Sequence, residues 1–383
     1  MVSPDAVSTP RAPSRTAATP LATLASAAGR DGGEGAAVVP VLAGLAAAFP
    51  PAVDQSTLWT DFFAQHYRDV RGAGRIFAHA GVQRRHAAVN PLVEDISPAG
   101  TGDRMRRYLT EALPLGRSAV TAALADAGLS VHDPGLLAVV SCTGYVTPGV
   151  DIRLAADLGL RDDVQRLLIG HMGCYAALPG LATVADFVTV HRRPAVLLCV
   201  ELTSLHLQPA TRDLSQVVAH ALFSDAAVAA VLRPAEATQP VPGLAVVDVA
   251  AVTDVTTSDQ MTWDVTDHGF RMGLSARVPD TLAGQLPGTV ATLLRRHGLS
   301  VADVAHWAVH PGGPRILDVV QERLGLSDAA LEPSRATLRE HGNCSSGTVL
   351  AVLQELPVRL GERTVALAFG PGLTLYAVLL RAV

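Results

Sequence analysis

Three residues carry the chemistry this sequence is equipped for: Cys174, His310 and Asn343. Cys174 follows a glycine and opens an apolar helical stretch. The partial positive charge at a helix start lowers a thiol pKa and raises its thiolate fraction. An imidazolium nearby lowers it further, into roughly the 3.5–7.5 range of activated cysteines. The N–H groups of His310 and Asn343 together could hold a developing oxyanion. Taken singly, each residue has a plainer reading. A buried cysteine usually fills a core, an asparagine before a helix caps it, and a histidine at a strand end pairs with a neighbour. Their shared setting is what points to nucleophilic catalysis.

That setting comes from the elements around them. From residue 37 on, short apolar runs alternate with helical stretches, the pattern of an α/β fold. Strands are expected at 136–142, 194–202, 227–232, 306–310, 364–369 and 375–380, each a near-continuous apolar run covered on both faces. Helices are expected at 110–127, 174–191, 282–297, 314–324 and 345–356. The two halves also repeat each other. Cys142 and His310 end similar strands 168 residues apart. The turns at Cys174 and Asn343 are 169 apart, as are the strand openings at Pro194 and Arg363. Agreement to within one residue implies an internal duplication. Duplicated α/β halves bring the starts of paired helices face to face near the centre, so Cys174 and Asn343 converge, with His310 beside them.

Composition narrows the chemistry. All 30 cationic side chains are arginine and none is lysine, which excludes a lysine Schiff base, a pyridoxal-phosphate anchor and a P-loop lysine. The net charge of −5 gives no basic footprint for nucleic acid. The four cysteines, at 142, 174, 199 and 344, lack both CxxC spacing and disulfide density, which fits a reduced, cytoplasmic protein. Cys199 and Cys344 read as packing. Residues 1–36 are Ala, Pro, Ser, Thr and Gly with almost no large apolar side chain, and are expected to be a disordered tail. The apolar run at 36–49 falls short of the roughly 20 residues a membrane span needs, and reads as a buried strand.

Four motifs then converge on one family. GHMGCYAALPGL around Cys174, WAVHPGGPRILD around His310, HGNCSSGTVL around Asn343 and FGPGLTL at 369–375 resemble a bacterial type III polyketide synthase of the chalcone synthase superfamily. The resemblance runs from Val39 to the C-terminus. It implies a thiolase-like fold of two duplicated halves, 37–233 and 234–383, in a layered α-β-α-β-α arrangement. Cys174 matches the family's nucleophile, and His310 and Asn343 its catalytic histidine and asparagine. The implied reaction loads an acyl-CoA starter on Cys174 and extends it by decarboxylative condensation with malonyl-CoA. The product then cyclises, with no metal or prosthetic group. An initiating-class β-ketoacyl carrier-protein synthase shares the three residues but lacks the PGGP turn. A Cys-His-Asn hydrolase or a non-catalytic partner subunit is a more distant reading.

The same resemblance assigns the pocket. Phe223 matches one gatekeeping phenylalanine, and Met272 stands at the second gatekeeper position. Cys142, His206, Trp263 and Ser345 fall on cavity positions. Arg75 falls on a basic position at the CoA tunnel mouth, with Arg71, Arg84 and Arg85 near it in sequence. Thr147 matches a residue that the family pushes into a partner subunit's cavity, which implies a homodimer. The indole of Trp263 shortens the cavity, so small pyrone or resorcinol-type products from an aliphatic starter are expected.

Overall fold

The structure, a computed structural model, describes residues 38–383. The tail expected over 1–36 lies outside the described residues. The apolar run after it is strand β1 (Val39–Ala48), central in a nine-stranded sheet. Short pieces follow: a ribbon of β2 (Ala52–Asp54) and β3 (Arg84–His86), with α1 (Gln55–Leu58), α2 (Ala64–His66) and α3 (Ala73–Ala78) between them. The first half continues through α4 (Thr101–Asp126), β4 (Leu136–Ser141), α5 (Val150–Leu158) and β5 (Gln165–Gly170). It closes with α6 (Ala177–His191), β6 (Ala195–Glu201), α7 (Leu214–Leu222) and β7 (Ala226–Ala235).

The second half opens with β8 (Leu244–Thr253) and a hairpin of β9 (Met261–Thr266) and β10 (Gly269–Leu274). Then come α8 (Val278–Arg295), β11 (His306–Val309), α9 (Pro314–Leu324) and α10 (Asp328–His341). It ends with α11 (Thr348–Gln354), β12 (Arg363–Gly370) and β13 (Thr374–Ala382).

All six expected strands are present to within three residues. The helix expected at 110–127 begins earlier, at Thr101. The one expected from Cys174 begins at Ala177, and the one expected from Ser345 begins at Thr348, after a 3-10 turn over Ser345–Gly347. Both reactive turns therefore precede their helices.

One pairing pattern occurs twice in the sheet. In the first half β1 pairs antiparallel with β7, β7 antiparallel with β6, and β6 parallel with β4. In the second, β8 pairs antiparallel with β13, β13 antiparallel with β12, and β12 parallel with β11. The extra strand, β5, lies at the outer edge beyond β4. The two wings meet where β1 touches β8, through only Val41–Ala245 and Leu42–Leu244.

Helix α6 is apolar nearly all round, with Leu178, Leu181, Val184 and Val188 fully buried, as a helix enclosed on every side must be. With α11 it forms the middle layer, packed against strands of both wings. Helices α4 and α5 cover the outer face of the first wing, and α8 and α9 that of the second. The result is five layers, helix and sheet alternating.

Candidate active site

Two glycine turns set up the site. Gly173 has φ +83°, and a Cβ there would stand 2.6 Å from Pro371 Cδ. Gly342 has φ +72°, and its Cβ would stand 2.8 Å from Ser224 Cβ. Only glycine meets both demands, a left-handed backbone and no side chain. Cys174 and Asn343 follow directly, both buried.

Ser345 joins them. Its hydroxyl lies 3.7 Å from Cys174 Sγ, and its backbone N–H donates to Asn343 Oδ1 at 2.9 Å. Ser345 itself has φ +49°, a strained conformation for a residue with a Cβ, costing of order 1–3 kcal/mol. The backbone of Asn343 is fixed from the other side, donating to Leu222 O and accepting from Ser224 N–H, each at 2.9 Å.

His310 arrives by the β11–β12 ladder. It follows Val309, which is in register with Leu367, and its ring meets Phe369 edge-on with centroids 5.8 Å apart. Phe369 leads through Gly370 to Pro371, the residue packed on Gly173; a Cβ on Gly370 would stand 3.3 Å from Cys174 N. His310 is 1% exposed, and neither ring nitrogen has a protein partner. No hydrogen bond links it to Cys174 or Asn343. Both ring nitrogens are thus buried and unpaired within the protein.

The electrostatics correct one expectation. Burial pushes the Cys174 thiol up to about 12, with the Ser345 hydroxyl pulling the other way. Burial likewise pushes His310 down to about 3. The helix start, three residues away, does not outweigh desolvation. Burial therefore favours the neutral thiol and the neutral imidazole over the ion pair.

Cys142 lies on the far side of Ser345, its Sγ 3.4 Å from the hydroxyl. Behind it is Glu201, wholly buried, which sequence reasoning did not single out. Its carboxyl accepts from Cys142 N–H at 3.0 Å, Thr143 Oγ1 at 2.8 Å and Ser346 Oγ at 2.6 Å. Burial raises its pKa while these donors lower it, and no cation pairs with it among the described residues. Cys174, Ser345, Cys142 and Glu201 therefore form one line of polar groups through an apolar interior. The signal was a lone charge ending the run VLLCVE.

The expected pocket residues gather beside this line. Trp263 on β9 donates its indole N–H to Cys142 O at 2.7 Å, and Met272 faces it across the hairpin. His206 donates from Nε2 to Thr143 O at 2.7 Å and accepts the Phe270 N–H on Nδ1 at 2.9 Å, a fully satisfied imidazole held near 3 by burial. His206, Phe223, Trp263 and Met272 all line one cavity of about 60 Å³. Arg75 is exposed on α3. Arg84 and Arg85 part company: alternation along β3 turns Arg84 outward to Glu340 at 2.7 Å and buries Arg85, so Arg85 is no surface cation. Cys199 and Cys344 are buried in packing.

Comparison with known proteins gives a consistent picture. The chalcone and stilbene synthase family matches twice, its N-terminal domain over residues 77–235 and its C-terminal domain over 248–383. A 1,3,6,8-tetrahydroxynaphthalene synthase of Streptomyces peucetius is 38% identical over 80% of this chain and 82% of its own. An alpha-pyrone synthesis polyketide synthase-like protein of Mycobacterium tuberculosis is 31% identical over 89% of this chain and 91% of its own. Among solved structures, PKS-I of the brown alga Ectocarpus siliculosus superposes with TM-score 0.84 at 30% identity, covering 92% of this chain and 100% of that one. The 1,3,6,8-tetrahydroxynaphthalene synthase of Streptomyces coelicolor gives 0.82 at 29% identity, covering 89% and 99%.

Proposed function

This chain belongs to the chalcone and stilbene synthase family as a type III polyketide synthase of thiolase-like fold, and from that premise we propose that Cys174, His310 and Asn343 carry its condensation chemistry. Enzymes of this kind use an acyl-CoA starter and a malonyl-CoA extender and need no cofactor beyond these thioesters. Cys174 Sγ attacks the starter carbonyl as His310 accepts the thiol proton. The CoA thiolate then leaves, taking that proton back, and the acyl group stays on sulfur. Malonyl-CoA next loses CO2, and the enolate oxygen is held by N–H donors of His310 and Asn343. The enolate carbon attacks the acyl carbonyl, and Cys174 leaves as the thiolate, carrying the negative charge that the malonyl carboxylate brought in; a proton taken up from solvent restores the thiol.

What supports this reading is the pair of unpartnered ring nitrogens on a wholly buried His310. A buried polar group without a partner costs about 1–3 kcal/mol, which a structural histidine would avoid. The test is intact-mass analysis after incubation with acyl-CoA, combined with CO2 release from malonyl-CoA. Acylation at Cys142, Cys199 or Cys344 instead of Cys174 would defeat the assignment.

Phe223, Trp263, Met272, His206, Cys142 and Ser345 shape the product, which we take to be a small pyrone or resorcinol-type polyketide. Arg75 is assigned to CoA phosphate, where a guanidinium can bind bidentately. The four buried, unpaired thiols fit the cytoplasm; no helix among the described residues is long and apolar enough to cross a membrane.

The working unit we infer is a homodimer. Strand β5 offers a free edge at the end of the sheet, with Leu168 48% exposed and Ile152 and Tyr145 exposed nearby. An apolar unpaired edge of this kind is covered in stable proteins, and a second copy related by a two-fold axis can pair with it antiparallel. Thr147, exposed on the adjoining loop, is then carried toward the partner.

A further inference from the structure

Arg85 is 7% exposed and sits behind the catalytic turn; a Cβ on Gly342 would stand 3.4 Å from its Cγ. Its Nη1 donates to the carbonyls of His220 and Phe223, the latter at 3.1 Å. The rest of the guanidinium is unused. Nε is buried with no acceptor, and no acceptor among the described residues meets Nη2. No carboxylate pairs with it there either. The nearby Asp225 is already engaged by Ala88 N–H, Thr203 Oγ1 and both donors of Ser204. Phe63 and Phe77 lie against the cation, with its Cζ 5.5 and 6.0 Å from their ring centroids, and offset part of its burial. Burial lowers its pKa to about 10, so it stays cationic at neutral pH.

Asp225 acts on this cation through space but makes no hydrogen bond to it, and a buried cation without a hydrogen-bonded counter-charge is expensive. The unused Nε/Nη2 edge is the one that accepts a carboxylate through two parallel hydrogen bonds. Arg85 lines the cavity of about 60 Å³ together with Phe223, His206 and Trp263. That volume has room for roughly the last three or four heavy atoms of a chain, or a few waters. Phe223 connects the two places: its carbonyl holds Arg85 and its backbone bridges Asn343.

We propose that Arg85 binds a carboxylate at the far end of the starter acyl chain, so that the enzyme selects ω-carboxyacyl-CoA starters over plain acyl-CoAs of equal length. The proposal rests on the synthase reading above, with Cys174 as acyl acceptor. Cys174 itself does not line this cavity; the link runs through Ser345 and Cys142 to Trp263, so an acyl group on Cys174 long enough to pass the Trp263 indole would bring its tail to the guanidinium. A methyl end leaves the cation unpaired, whereas a carboxylate neutralises it.

The test is competition on the wild-type protein at neutral pH. Succinyl-CoA is set against butyryl-CoA, glutaryl-CoA against valeryl-CoA and adipoyl-CoA against hexanoyl-CoA, with the adduct on Cys174 read by intact mass. A charge-assisted pair predicts about 10- to 100-fold preference for the carboxylated member of at least one pair. Arg85→Gln should reverse that preference and Arg85→Lys should keep part of it. The wild-type competition decides the matter even where a variant fails to fold. Loading of plain acyl-CoAs at equal or higher rates in all three pairs overturns this inference and leaves the synthase reading intact. Absence of any acyl adduct on Cys174 overturns both.

Discussion

Burial makes opposite demands on Cys174 and His310, raising one pKa and lowering the other, and each variant should show its share. Cys174→Ala should abolish polyketide formation, while Cys199→Ala, which only loosens packing beside Gly347, should keep most of it; product analysis by mass spectrometry decides. His310→Gln and Asn343→Ala should each lower CO2 release from malonyl-CoA by about 10²–10³-fold, the usual loss of one oxyanion donor. Asn343→Ala should spare starter loading, since only the imidazole handles the thiol proton. Equal loss of loading in both variants would contradict the division of roles. These three residues were legible because each sits in a distinctive local motif. Glu201 was missed because a single carboxyl ending an apolar run looks like the start of a loop. Arg85 was misread because neighbouring arginines suggest a surface, until the alternation of β3 turns one of them inward.

Among the elements, the β9–β10 hairpin and strand β5 carry the testable consequences. Trp263 stands opposite Met272 in the hairpin and ties itself to Cys142 O. Trp263→Gly should enlarge the cavity and lengthen the product or admit bulkier starters. Trp263 is only partly buried, so the stability cost should fall below the roughly 3–5 kcal/mol of a fully buried tryptophan. An unchanged product distribution across several starters from the folded variant would make Trp263 mere packing. Leu168→Arg on β5 places a charge on the exposed edge and should shift sedimentation from dimer to a species of 39.8 kDa. A wild-type protein already monomeric at micromolar concentration would sink the dimer. The hairpin and β5 were not among the expected strands. Both are short and half-exposed, so their apolar pattern is broken where the cavity and the sheet edge demand it. The strands read correctly were those buried on both faces.

At the scale of the whole molecule, acid should unfold this protein early. His206 and His310 are held near 3 and His341 near 4, each chiefly by burial, and His220 is lowered as well. The unfolded chain takes up these protons near 6.5 and the folded one does not. Stability from these groups is therefore complete above about pH 6.5 and declines as pH falls toward 3–4. The slope is about 1.4 kcal/mol per pH unit for each wholly buried imidazole. Glu201 and Asp225, both raised by burial, work in the opposite direction over part of that range. With His66 and His86 also lowered by burial and Asp186 also raised, six histidines stand against three carboxyls and leave a net loss, so Tm should drop between pH 7.5 and 5.0. A flat Tm would show that these imidazoles are charged in the fold.

The strands of the two wings join at only two residue pairs, where β1 meets β8, and otherwise the wings are held together by packing on α6 and α11, which bears on how the enzyme fails. The thiol comes from one wing and its two N–H donors from the other, so neither wing owns a reaction. Turnover is then a gauge of alignment between two bodies, sensitive to slippage that leaves every helix and strand whole. In a urea titration, condensation should vanish at concentrations where far-ultraviolet circular dichroism is still native. Coincident midpoints would mean that the wings hold their alignment until the entire fold gives way.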